Sequence, residues 1–227
     1  MFDPEFYGDA QVWEVGSRMY GLNTAASDFD YVGVSYDPAL IRDPLRDSHV
    51  TNVRDQEVIH SASKFAALIA KGNPNVMDLV YNKPLQKNRF VAGLIGEVAP
   101  YAVTRNLVNA TIGYLREQKR RGFVQSSKHG VRPEHKELGY DPKYIMHCLR
   151  MSFFLRGLLD TGAYYYLSED ERAFLMQVRS GTMSFDDINT IVTDSTAHIE
   201  ELDTSSFSDG EVLRRVISEY FVSYNDV

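Results

Sequence analysis

Residues 11–36 read QVWEVGSRMYGLNTAASDFDYVGVSY, and the fold turns on how they are read. Gln11–Val15 is a short apolar-rich run ended by Gly16. Tyr31–Tyr36 is a second run, β-branched and aromatic, so both read as strands. Between them stand Gly16-Ser17 and Asp28-Phe29-Asp30, with ten residues separating Ser17 from Asp28. Asp28 and Asp30 sit two apart at the entry to the second strand, and alternation sets both side chains on one face. Carboxylates that close repel each other unless a cation lies between them. Hard oxygen donors of this kind suit Mg²⁺ or Mn²⁺, with phosphate oxygens completing the shell. Gly16 lets the backbone approach a ligand. A helix starting just after it would offer free N–H groups and a positive end to phosphate, and Arg18 would add charge. Each piece has a plainer reading, an Asx cap for the aspartates and an ordinary turn for Gly-Ser. Their succession at this spacing is more specific than either piece.

Further along, Val53–Ser61 alternates well enough for a third strand. Ser63–Lys71 has helical spacing and stops at Gly72, and Asn73-Pro74 opens another short helix. From about residue 88 the chain turns helical. Gln125–Tyr140 is polar and reads as a long loop. Asp141-Pro142 caps a helix that runs to about Asp160. Ser168-x-x-Glu171, Ser184-x-x-Asp187 and Ser208-x-x-Glu211 read as capping boxes of three later helices. The layout is a small α/β part, residues 1–87, followed by an all-helical part, residues 88–227.

Composition excludes several classes. The 227 residues carry a net charge of −7, which argues against a general nucleic-acid coat protein. Charge is uneven, however. Seven cations against Glu117 and Glu134 give residues 116–136 a local +5 and leave −12 for the remainder. A basic patch on an acidic protein suits a polyanion at one place. The single cysteine, Cys148, rules out an internal disulfide and a cysteine-based zinc site. The start, MFDPEFYGDAQ, lacks the basic and apolar parts of a signal peptide. No run approaches the ~18 apolar residues of a membrane span, so a cytoplasmic location is expected.

The helix from Asp141 carries Lys143, His147 and Arg150 within one narrow band, while its stretch from Tyr144 to Leu159 is apolar on most sides. Cations on a buried helix need partners, either protein carboxylates or a ligand's phosphates. The other histidines show no metal-ligand spacing. Trp13 and Tyr164-Tyr165-Tyr166 read as core or interface.

The run GSRMYGLNTAASDFDYVGV (16–34) resembles the glycine-serine and paired-aspartate signature of the DNA polymerase beta-like nucleotidyltransferase superfamily. Within it, the chain is most similar to the predicted nucleotidyltransferases associated with RNA ligases and RNA repair in bacteria and phages. Lys71-Gly72-Asn73-Pro74-Asn75, Lys143-x-x-x-His147-x-x-Arg150 and Val178-Arg179-Ser180-Gly181 resemble further marks of that group. Where relatives often carry Glu shortly after the asparagine-proline pair, this chain has Asp78, which reads equally as a helix-surface or capping residue.

The resemblance implies an α+β fold, with a small mixed sheet and flanking helices, then an all-helical half that completes a cleft. It implies transfer of a nucleoside monophosphate from an NTP to a hydroxyl, with release of pyrophosphate. Asp28 and Asp30 would hold two Mg²⁺ or Mn²⁺ ions. A third carboxylate, Asp55 or Glu57, would come from the Val53–Ser61 strand. Gly16, Ser17 and Arg18 would bind the nucleotide, and Lys143, His147 and Arg150 would face its phosphates or the acceptor. The basic 116–136 segment favours an RNA acceptor. A protein side chain is the alternative acceptor. A non-catalytic nucleotide- or RNA-binding module of the same fold is the alternative class.

Overall fold

The computed structural model describes residues 3–37, 51–54, 57–123, 133–200 and 202–225. The fold is α+β, a small mixed sheet with flanking helices followed by helices alone. Strands β1 (Gln11–Val15), β2 (Asp30–Ser35), β3 (Thr51–Arg54) and β4 (Glu57–Ser61) lie in the order β1-β2-β4-β3. β1 pairs antiparallel with β2, β2 parallel with β4, and β4 antiparallel with β3. The expected strand Val53–Ser61 is therefore two strands, paired antiparallel with Arg54 opposite Glu57. Alternation along a single strand does not extend over the whole of Val53–Ser61.

The chain divides into two compact units, Met1–Leu107 with Phe207–Val227, and Val108–Ser206. In the first, helix α1 (Pro4–Tyr7) covers one face of the sheet. Tyr7 packs with Ala10, Val12 and Tyr31, and with Phe6 and Ile59 at their edge. The register puts Val12, Tyr31, Gly33 and Ile59 on this face. Gly33 is required there because a Cβ would sit 2.7 Å from the Tyr7 ring. The opposite face carries Trp13 and Val34, both fully buried. Helix α2 (Ala62–Ala70) brings Phe65 to 6.1 Å from Trp13. Helix α3 (Pro74–Tyr81) starts at Asn73, whose side chain accepts from Asn75 and Val76 N–H. Gly72, at φ +68°, leaves no room for a Cβ against the Leu107 backbone. The Lys71–Asn75 element is thus a tight helix-to-helix turn.

Helix α4 (Arg89–Val98) packs in the same unit against α9 (Glu211–Asn225), where Tyr220 Oη donates to Phe90 C=O at 2.8 Å. The expected capping box at Ser208 is absent. The helix begins at Glu211 itself, and Asp209 accepts its N–H at 3.0 Å. Helix α5 (Arg105–Gly122) leads into the second unit, which holds α6 (Pro142–Thr161), α7 (Glu169–Ser180) and α8 (Phe185–Glu200). Asp141 caps α6, accepting from Lys143 and Tyr144 N–H, and Gly162 ends it at φ +69°. Ser168 and Glu171 form the full reciprocal box at α7, and Ser184 caps α8 through Asp187 N–H at 3.2 Å. Residues 133–138, expected as loop, form a short 3₁₀ segment. No described helix is long and apolar enough to cross a membrane.

Candidate functional site

Residues 16–21 follow β1 as a single closed turn, not as the expected helix. Leu22 N–H donates to Ser17 C=O at 2.8 Å, and Gly21 N–H to Arg18 C=O at 3.1 Å. That bond pair, with Gly21 at φ +67°, is the left-handed cap that ends helices. It closes the segment after one turn. Gly16 also adopts φ +67°, and a Cβ there would lie 2.6 Å from Asp30 Oδ2. Antiparallel pairing of Val15 with Asp30 fixes this approach. Glycine at 16 is thus what lets the turn and the Asp30 carboxylate touch.

Asp28 lies just before β2 and is exposed, while Asp30 opens the strand half-buried. Arg18 straps down the approach to them. Its guanidinium donates to Asp28 C=O at 3.2 Å and Ser27 C=O at 3.1 Å. It also stacks 3.5 Å over the Phe29 ring and lies 3.9 Å from Glu14. Sequence reasoning gave Arg18 to the nucleotide; within the protein it holds the backbone of the aspartate segment.

The two candidates for a third carboxylate are Asp55 and Glu57. Asp55 lies outside the described residues. Glu57 pairs with Tyr31, the neighbour of Asp30, so strand alternation directs it to the face opposite Asp30. Among the described residues no group of three or more His, Cys, Asp or Glu side chains is placed to hold a metal. The donor set that remains, two hard carboxylates beside a glycine turn, fits a Mg²⁺- or Mn²⁺-phosphate unit.

Asp78, expected at a helix surface or cap, is buried at 4% exposure on α3. Tyr20, from the 16–21 turn, donates its hydroxyl to the Asp78 carboxylate. A tyrosine inside the motif and an acidic residue on α3 were the only sequence signs of this tie.

In the second unit, Lys143, His147 and Arg150 rise along one face of α6. Lys143 is exposed, His147 half-buried and Arg150 buried at 4% exposure. His147 Nδ1 is sealed from solvent and has no hydrogen-bond partner among the described residues. Burial, then Arg150, Lys143 and Arg179, hold the imidazole down to about 3, with Asp141 acting the other way. Arg179, in the last turn of α7, was noted in the sequence only as part of a motif. The end of α5 is less basic than its sequence suggests. Glu117 accepts from Arg120 and Arg121 at 2.7 Å each, and Lys119 donates to Thr196 Oγ1 at 2.9 Å. Lys128 and Arg132 lie outside the described residues.

A family model described as the RNA repair pathway DNA polymerase beta family, RlaP, matches residues 12–206. The chain belongs to the RlaP family. No curated protein and no solved structure matches it. The matched residues of this RlaP chain include the Gly16 turn, the aspartate pair, Asp78 and the cationic face of α6.

Proposed function

We propose that this RlaP chain is a metal-dependent nucleotidyltransferase that moves a nucleoside monophosphate from an NTP to a hydroxyl of RNA. One observation carries the reading. The Asp30 carboxylate rests against Gly16 where a Cβ would be 2.6 Å away. A backbone turn able to meet phosphate and a carboxylate able to meet a metal therefore share one spot.

Asp28 and Asp30 would hold Mg²⁺ or Mn²⁺, two ions in the full site. The bound ions would neutralise phosphate charge and favour the ionised acceptor hydroxyl. Gly16 and Ser17 would cradle the β- and γ-phosphates through the turn backbone. Arg18, stacked on Phe29, would keep Asp28 and Asp30 in place as the charge between them changes. Tyr20 would anchor the turn to α3 through Asp78. Lys143, His147 and Arg150 would offset phosphate charge. The acceptor hydroxyl gives up its proton to solvent, its oxygen forms a bond to the α-phosphorus, the bond from the α-phosphorus to the α–β bridging oxygen breaks, and pyrophosphate leaves with that electron pair. Such chemistry is mostly positioning and charge neutralisation. The local +5 of residues 116–136 in the sequence supports RNA as the acceptor, and NTP and RNA both point to the cytoplasm.

The test is to incubate the protein with each labelled NTP, Mg²⁺ or Mn²⁺, and total RNA. Label that RNase removes, and that Asp28→Asn/Asp30→Asn loses, is the expected result. Label removed only by protease would move the acceptor to protein. Absence of both labelling and pyrophosphate release would leave a binding module and end the transferase reading.

A further inference from the structure

The N-terminal half of α6 gathers three basic side chains, and one of them, Lys143, stands in the first turn, where a helix least tolerates a cation. Aligned peptide dipoles make that end positive and favour anions there. Asp141, the cap, is an acid as expected, but Lys143, His147 and Arg150 follow it on one face. Arg179 of α7 acts on the same imidazole. Exposure falls along the face from Lys143 through His147 to the buried Arg150. Nδ1 of His147 is buried with no hydrogen-bond partner among the described residues, a state that costs stability unless something completes it. An anion entering past Lys143 would complete it.

We infer that Lys143, His147, Arg150 and Arg179 form a binding site for a terminal phosphate dianion. This deepens the phosphate-facing reading of α6 and rests on it. A terminal phosphate carries two charges and one substituent, so it can enter end-on. An internal phosphodiester carries one charge and continues on both sides, which suits an open groove and not a face that runs inward. The NTP γ-phosphate and the phosphorylated end of an RNA share this chemistry.

The charged groups acting on His147, among the described residues, are Arg150, Lys143, Arg179 and Asp141. In the free protein the imidazole is neutral at pH 7, because burial and the three cations disfavour its charge. A bound dianion offsets those cations and returns the imidazole toward its ordinary range. Binding therefore takes up a proton below pH 6.5, and affinity rises as pH falls.

The experiment uses the full-length Asp28→Asn/Asp30→Asn protein in EDTA, so that neither transfer nor metal contributes. Sulfate, a dianion throughout the working range, is titrated calorimetrically from pH 7.5 to 5. ATP and one short RNA, bearing either a 5′-phosphate or a 5′-hydroxyl, follow at pH 7, each with and without sulfate. Sulfate affinity should rise by up to roughly tenfold per pH unit on the acid side, and His147→Gln should remove that slope. Lys143→Gln and Arg179→Gln, at accessible side chains, should each weaken sulfate about tenfold. Whichever of ATP and 5′-phosphorylated RNA sulfate displaces is the source of the phosphate. Wild-type sulfate affinity in Lys143→Gln and Arg179→Gln would overturn the site, as would failure of sulfate to bind. A slope that survives His147→Gln would remove the histidine from it. Loss of NTP turnover in the wild-type protein would end the transferase reading and leave these results standing.

Discussion

The Gly16–Asp30 turn and the Lys143–Arg150 face of α6 are both assigned to phosphate, yet they hold their charges under opposite conditions. In the turn, Asp28 is exposed and Asp30 half-buried, and a single strand pairing brings the second against Gly16. On α6, Arg150 is buried at 4% exposure and His147 is pushed far below its usual range by burial and neighbouring cations. Under the proposed reading the carboxylates take a cation from solvent, and the α6 face, running from exposed Lys143 to buried Arg150, takes an anion. Chemistry would belong to the first arrangement and anion recognition to the second.

The sharpest way to break that division is to remove one charge from each side. Asp30→Asn should lower nucleotidyl transfer on the order of a thousandfold, because the reacting phosphate loses metal positioning. Lys143→Gln should cost about tenfold, mostly in KM, because it removes binding common to ground and transition states. Steady-state pyrophosphate release measures both. Equal losses, or a larger one at Lys143, would reverse the assignment.

The turn itself can be tested through its glycines. Gly16→Ala combines left-handed strain with a 2.6 Å clash on Asp30 Oδ2. It should cost about 1–3 kcal/mol in urea unfolding and abolish most transfer. Gly162, left-handed at φ +69° with nothing within 4 Å of an added Cβ, offers the control. Gly162→Ala should show the strain alone, about 1 kcal/mol, with transfer intact. Full activity in Gly16→Ala would mean that the close approach is incidental.

These two regions also differ in how legible they were. The turn is local: Gly16-Ser17, Asp28 and Asp30 lie within one strand-turn-strand run, and period and turn chemistry placed them. What failed there depended on register. Val53–Ser61 reads as one alternating run, but it is two antiparallel strands with Arg54 opposite Glu57. The pairing of Tyr31 with Glu57, invisible in one sequence, then turned Glu57 away from Asp30. The helix expected after Ser17 ended after one turn because Gly21 takes the left-handed conformation. On α6 the cationic stripe was legible from helical spacing, since its members share one element. Arg179 and Asp78 were not, because each meets its partners through tertiary packing between elements.

The buried imidazole of His147 makes a prediction for stability. Its pKa is about 3 in the folded protein and near 6.5 when unfolded. Below 6.5 the unfolded chain takes up a proton that the folded chain refuses. The stability present above pH 6.5 is therefore lost as pH falls toward 3, by up to about 1.4 kcal/mol per unit. Urea unfolding of wild type and His147→Gln, compared from pH 7.5 to 4.5, should show a difference that grows in acid. Parallel curves would mean that the folded imidazole takes its proton normally.

Glu117 gives the smallest effect and the cleanest control. Side-chain hydrogen bonds from Arg120 and then Arg121 lower its pKa to about 2 from the ordinary 4.5. The direction matches that of His147, so any contribution is present above 4.5 and lost as pH falls toward 2. The surroundings are opposite, because this triad stands in water at the exposed end of α5. Water and salt screen such pairs, and fixing three long side chains costs entropy that offsets the attraction. Glu117→Gln should therefore leave the urea midpoint unchanged at pH 7, and its difference from wild type should stay flat from pH 7.5 to 4.5. If Glu117→Gln destabilised the protein as much as acid does through His147, burial would not be what separates the two regions. The cationic face of α6 would then need no buried histidine to explain its preference for an anion.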